Sequence, residues 1–163
     1  MTDTITFDIS GLSPEAVGYL TQVVADLRTA DQELTDHVDV ELPDWRNAVS
    51  TGWTLDHVEQ LRRELAVGRK DVQLAAFDQA LQQDGYISRG DLYALAGYDQ
   101  DRRLNNWTTP FRKAVARMVA EDDLPESAAL PMEPVYRDDV SGYQQALGFQ
   151  VAPEIVKLMN EQG

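Results

Sequence analysis

Five cationic side chains fall within 16 residues of this sequence: Arg102, Arg103, Arg112, Lys113 and Arg117. Guanidinium and ammonium groups pair with phosphates and with guanine edges. Helical spacing puts Arg112, Lys113 and Arg117 opposite Phe111, Val115 and Met118. Thr108 and Thr109 stand where such a helix begins, and backbone N–H groups at a helix start can hold a phosphate. These seven residues are the candidate nucleic-acid contacts. The blander reading is a solvated face, or a face that pairs with carboxylates of the same chain.

A second constellation is acidic. Asp36, Asp39, Glu41 and Asp44 lie within nine residues. They are candidates for docking on a basic protein partner, in the manner of a DNA-mimicking surface.

Other chemistries find less support. His37 and Asp39 share a face of an expected strand, but a zinc site needs three or four convergent ligands. His57 and Glu59 are two apart on an expected helix and diverge. Residues 80–91 carry the glycine, isoleucine and closing acid of a calcium-binding loop. Ala80 and Gln82, however, replace its first two carboxylates. There is no Gly-x-Ser-x-Gly elbow, no phosphate-binding P-loop and no Gly-x-Gly-x-x-Gly. The expected activity is binding rather than catalysis, with no cofactor and no metal. An enzyme whose site is assembled across the fold leaves no local trace and stays open.

The charge pattern qualifies both constellations. The 163 residues carry a formal net charge of -14. That mean field repels phosphate. The charge is unevenly spread, though. Residues 1–60 carry 12 acidic and 2 basic side chains, residues 61–117 carry 7 and 10, and residues 118–163 carry 9 and 2. A mildly basic middle therefore lies between acidic flanks. The acidity itself has two readings, a salty or GC-rich background or a docking surface.

With no cysteine, disulfides and thiolate metal sites are excluded. Residues 1–10 lack the basic and apolar regions of a secretory signal. No apolar run reaches the ~18 residues of a membrane-spanning helix. A cytoplasmic location and no membrane partner are expected.

The elements that must position these residues follow from periodicity. Ile5, Phe7 and Ile9 alternate with polar residues and predict a strand. Ser13-Pro14-Glu15 opens a helix to about Ala30, and Val38, Val40 and Leu42 predict a second strand, ended by Pro43. Trp45 and Trp53 are expected to plug a core from a connecting loop. Thr54 caps a helix with Val58, Leu61 and Leu65 inward and Gly68 at its end. A helix over 70–83 precedes the turn Asp84-Gly85 and a short extended piece at 86–88. Ser88 and Asp91 open a helix that Gly97 stops. Thr109-Pro110 is read as cap and first-turn proline of the next helix, to residue 120. Residues 130–137 and 143–151 predict a hairpin, and Pro153 begins a final helix.

The order of helix, short strand, helix, loop, helix and hairpin is that of a winged helix-turn-helix. The run Gly85-Tyr86-Ile87-Ser88-Arg89-Gly90-Asp91-Leu92 resembles the turn into the second helix of such domains. The run Arg102 to Phe111 resembles the approach to their third. Residues 54–155 thus resemble winged-helix-like domains of actinobacterial proteins of unknown function. The resemblance implies that the third helix reads a DNA major groove and that the hairpin touches the backbone. The loop before that helix is longer than in a tight helix-turn-helix.

The expected fold is α+β and mostly helical, with a winged-helix-like core. An acidic strand–helix–strand arm over 1–52 leads into a helical domain over 53–163. The expected partner is double-stranded DNA, or alternatively a basic protein.

Overall fold

The computed structural model describes the backbone of residues 10–36 and 40–163, and the side chains of 10–27 and 40–163. The fold is α+β, about half helical, with six α-helices and a three-stranded antiparallel sheet among the described residues. The helices are α1 (Pro14–Asp36), α2 (Leu55–Val67), α3 (Asp71–Gln82), α4 (Arg89–Ala96), α5 (Thr109–Ala120) and α6 (Pro153–Asn160). The strands are β1 (Tyr86–Ser88), β2 (Met132–Val135) and β3 (Gly148–Val151). A 3-10 turn covers Trp45–Asn47.

Local chemistry fixes several ends. Thr54 caps α2, its hydroxyl accepting from the His57 amide while its own N–H donates to His57 Nδ1. Ser88 Oγ accepts the Asp91 N–H at 3.0 Å to open α4. Gly97, at φ 64, closes it in the left-handed region. The sheet order is β1–β3–β2. Ile87 faces Phe149, and Pro134 faces Phe149 from the other side. Pro134 lacks an amide hydrogen and sits on an edge strand, where that loss is tolerated.

The core lies between α2, α3, α5, α6 and one sheet face. Val58, Leu61, Leu65, Phe77, Ile87, Phe111, Met118 and Ile155 are fully buried. Phe77 meets Phe111 at 6.0 Å, Trp107 meets Phe111 at 6.1 Å, and Trp107 meets Phe149 at 4.6 Å between ring centroids. This aromatic chain ties α3, the start of α5 and β3 into one body. Trp53 is buried as expected and donates its indole N–H to Ala129 O at 2.9 Å. Trp45 packs against the core from the 3-10 turn.

Three expectations are revised. The first helix is longer, reaching Asp36, and Val24 and Leu27 are exposed on it. None of its described side chains is fully buried; Val17, Leu20 and Val23 are half-buried. Residues 40–42 form no strand. Leu42 and Pro43 instead line a small recess with Trp45, Gly85 and Val156, so the apolar side chains are satisfied by packing and not by a ladder. The hairpin strands are shorter than expected. Residues 136–147 form a long connection braced by Gln144, which donates to Arg137 O at 2.8 Å and accepts from Arg137 N at 2.9 Å. The strand expected at residues 4–9, and Val38 of the second one, lie outside the described residues.

Candidate functional site

The seven basic-region residues gather around the start and outer face of α5, in four different situations. Arg112 and Lys113 are exposed and make no ion pair with a described residue. Arg103 is exposed and equally unpaired. Arg102 is exposed and lies over the Tyr98 ring at 3.9 Å, a cation–π contact. Arg117, on the same helix, pairs with Glu64 of α2. Thr108 is buried, and Thr109 is half-buried.

The start of α5 differs from the expected cap. The helix begins at Thr109, preceded by Thr108, and neither hydroxyl makes a capping bond. The chain enters through tight turns instead. Thr109 N donates to Asn106 O, while Phe111 N and Arg112 N both donate to Thr108 O. Pro110 has no amide hydrogen. The backbone donors expected to hold a phosphate at 109–112 are thereby engaged within the chain, and anion recognition here falls to side chains.

The long loop ahead of α5 is held firmly. The Tyr93 hydroxyl donates to Arg102 O at 2.5 Å, and Tyr98 packs edge-on against Tyr93 at 6.3 Å. Burial raises the Tyr93 pKa above the ordinary 10.0; Arg89 and Arg102 oppose that rise and Asp101 adds to it. The guanidinium of Arg102 is thus positioned through its own backbone.

Between α5 and the β2–β3 connection lies a cleft of about 690 Å³. Arg89, Arg103, Arg112, Trp107, Tyr136 and Tyr143 are among its lining residues, and among the described residues no carboxylate lines it. Three guanidinium side chains thus share one cleft without a described acid, in a chain with 28 acidic side chains. Arg89 and Trp107 are 8% and 6% exposed. Arg89 donates through Nη1 to Gln145 Oε1 at 2.7 Å, but among the described residues Arg89 Nε and Trp107 Nε1 find no partner.

Sequence reasoning over the cationic cluster missed Arg89, Trp107, Tyr136 and Tyr143. One signal was present. Arg89 follows the N-cap Ser88, and a cation in the first turn of a helix opposes the dipole. The spacing of 102–117 gave no hint that the first residue of α4 would line a cleft with the start of α5.

The acidic candidates do not assemble visibly. Glu41 is exposed. Asp44 is exposed, yet its carboxylate is the cap of the 3-10 turn, accepting from Arg46 N at 3.1 Å and Asn47 Nδ2 at 2.9 Å. The side chains of Asp36 and Asp39 lie outside the described residues. Among the described residues no group of three or more potential ligands is placed to hold a metal ion. Among the described residues no helix is long and apolar enough to cross a membrane. Compared with known proteins, the chain matches no family model, no curated protein and no solved structure.

Proposed function

We propose that this protein binds double-stranded nucleic acid through the outer face of α5 and the loop before it. The observation that carries the reading is electrostatic. Arg102, Arg103, Arg112 and Lys113 stand exposed without a described carboxylate partner, in a chain of net charge -14. Cations left unpaired amid such an excess of acid are held ready for an external anion.

Topology supports the same reading. The succession α3, β1, α4, α5, β2, β3 and the sheet order β1–β3–β2 agree with a winged-helix core. In that arrangement α5 occupies the place of the groove-entering helix, and residues 136–147 form the wing. Tyr136 and Tyr143 on that loop are exposed, as is Arg137, which is bonded to Asp139. No catalytic step is part of the reading.

Four phosphate contacts imply a log–log salt slope of roughly -3.6 for duplex binding. Fluorescence anisotropy with a labelled duplex of about two helical turns measures it. Replacing both Arg112 and Lys113 by Ala should weaken binding by about tenfold or more and flatten the slope by roughly 2. Absence of duplex binding at low salt, or a double variant with unchanged affinity, would contradict the proposal. Capture of a basic protein instead, with no duplex retardation, would favour the acidic surface as the functional one.

A further inference from the structure

Arg89 is the least expected charge in the molecule. It is buried, it sits in the first turn of α4 where the helix dipole disfavours a cation, and among the described residues its guanidinium has one hydrogen-bond partner, the neutral Gln145. Burying a guanidinium without a carboxylate costs several kcal/mol in general. The cost falls when an anion completes its hydrogen bonds. Trp107 adds a second buried donor, with no acceptor among the described residues. Both residues line the same cleft, with Arg103 and Arg112 beside them and no described acid.

We infer that this cleft is a binding site for a small phosphomonoester of about mononucleotide size, held through Arg89. A phosphomonoester carries a charge of about -1.5 to -2 at neutral pH and three strong acceptors. It suits three guanidiniums better than a single carboxylate does. The volume of about 690 Å³ lies in the range of small-ligand sites. Tyr136 and Tyr143, 48% and 57% exposed on the β2–β3 connection, offer aromatic surface to a planar group on the phosphate. A guanidinium 8% exposed is met by a ligand that enters the cleft, and not by a duplex lying across its rim. The site is therefore distinct from the outer face of α5, although Arg112 borders both.

The test is a titration of the full chain with adenosine 5'-monophosphate, inorganic phosphate and adenosine. Calorimetry and the Trp107 indole resonance are the readouts. The nucleotide should bind and shift that resonance, inorganic phosphate should bind more weakly, and adenosine should bind about tenfold or more weaker than the nucleotide. Arg89→Gln should lower nucleotide affinity by about tenfold or more, and Arg103→Gln on the exposed rim by a smaller factor, while Arg63→Ala, exposed on α2 and outside the cleft lining, leaves it unchanged. Thermal melting shows whether Arg89→Gln folds; if it does not, Arg103→Gln and the wild-type resonance decide. A short strand with and without a 5'-phosphate separates a free nucleotide from a strand end. Tighter binding of the phosphorylated strand than of the nucleotide assigns the site to strand ends, still as a phosphomonoester site. No shift of Trp107 at about 10 mM nucleotide, equal binding of adenosine, or full affinity in the folded variants would overturn the inference. A chain that binds nucleotide but no duplex refutes duplex recognition alone, and the reverse result refutes only the cleft.

Discussion

Glu154 occupies the first turn of α6, where the dipole favours an anion, and is 5% exposed. Its carboxylate accepts the Thr51 N–H at 2.7 Å and the Thr51 hydroxyl. Thr51 Oγ1 in turn accepts the Ala129 N–H at 2.7 Å. Three distant stretches of chain meet at this one side chain. Glu154→Ala leaves the Thr51 donors unmatched and should cost about 2 kcal/mol, or about 4–8 °C in melting temperature. Tyr93 gives a second residue-level outcome. Its folded pKa lies above the ordinary 10.0, chiefly through burial. The neutral phenol is favoured by the fold, so its contribution is complete below about pH 10 and fades as pH rises through and beyond that value. Denaturant midpoints measured from pH 9 to 11 should fall more steeply for the native chain than for Tyr93→Phe. The residues that act locally were legible in the sequence: Ser88, Thr54 and Gly97 each cap as their types suggest. Glu154, Arg89 and the Glu64 partner of Arg117 were not, because their bonds span 53 to 103 residues.

Among the elements, the turn between α3 and β1 is the most constrained. Gly85 has φ 96, donates to Ala80 O at 2.7 Å and accepts the Val151 N–H at 2.7 Å. A Cβ there would lie 2.6 Å from Val156 Cγ2. Gly85→Ala combines a disfavoured backbone with a clash against α6, and should destabilise by about 2–4 kcal/mol in chemical denaturation. A loss under about 0.5 kcal/mol would show that the turn relaxes freely. The helices were legible because their apolar spacing is 3.6 and they bury what it predicts. In α5, Phe111, Ala114, Val115 and Met118 are all buried. The α1 stripe was less informative, since it lies against α4 with Val24 and Leu27 exposed. Alternation misled at residues 40–42, which form no strand and where Leu42 packs beside α6 instead. The hairpin was placed correctly, but its long connection closes through Gln144 side-chain bonds that a turn pattern does not encode.

At the scale of the molecule, the unequal charge distribution acquires a spatial meaning. Among the described residues no acid lines the cleft, and four cations beside it lack described carboxylate partners. Arg46, Arg62, Arg117 and Arg137 are paired with carboxylates of the chain. Arg62 joins Glu59 and Asp78 across α2 and α3; burial works against its charge, but the two carboxylates prevail and raise its pKa. The basic face was legible from composition along the chain. The cleft was not, because it forms only when β2 and β3 fold back beside α5. Chemical-shift mapping of the isotopically labelled chain with a short duplex tests the central claim most directly. Perturbations concentrated at Arg102, Arg103, Arg112 and Lys113 and across residues 136–147 are the expected result. Shifts centred on α1 or α6, or none at low salt, would contradict it.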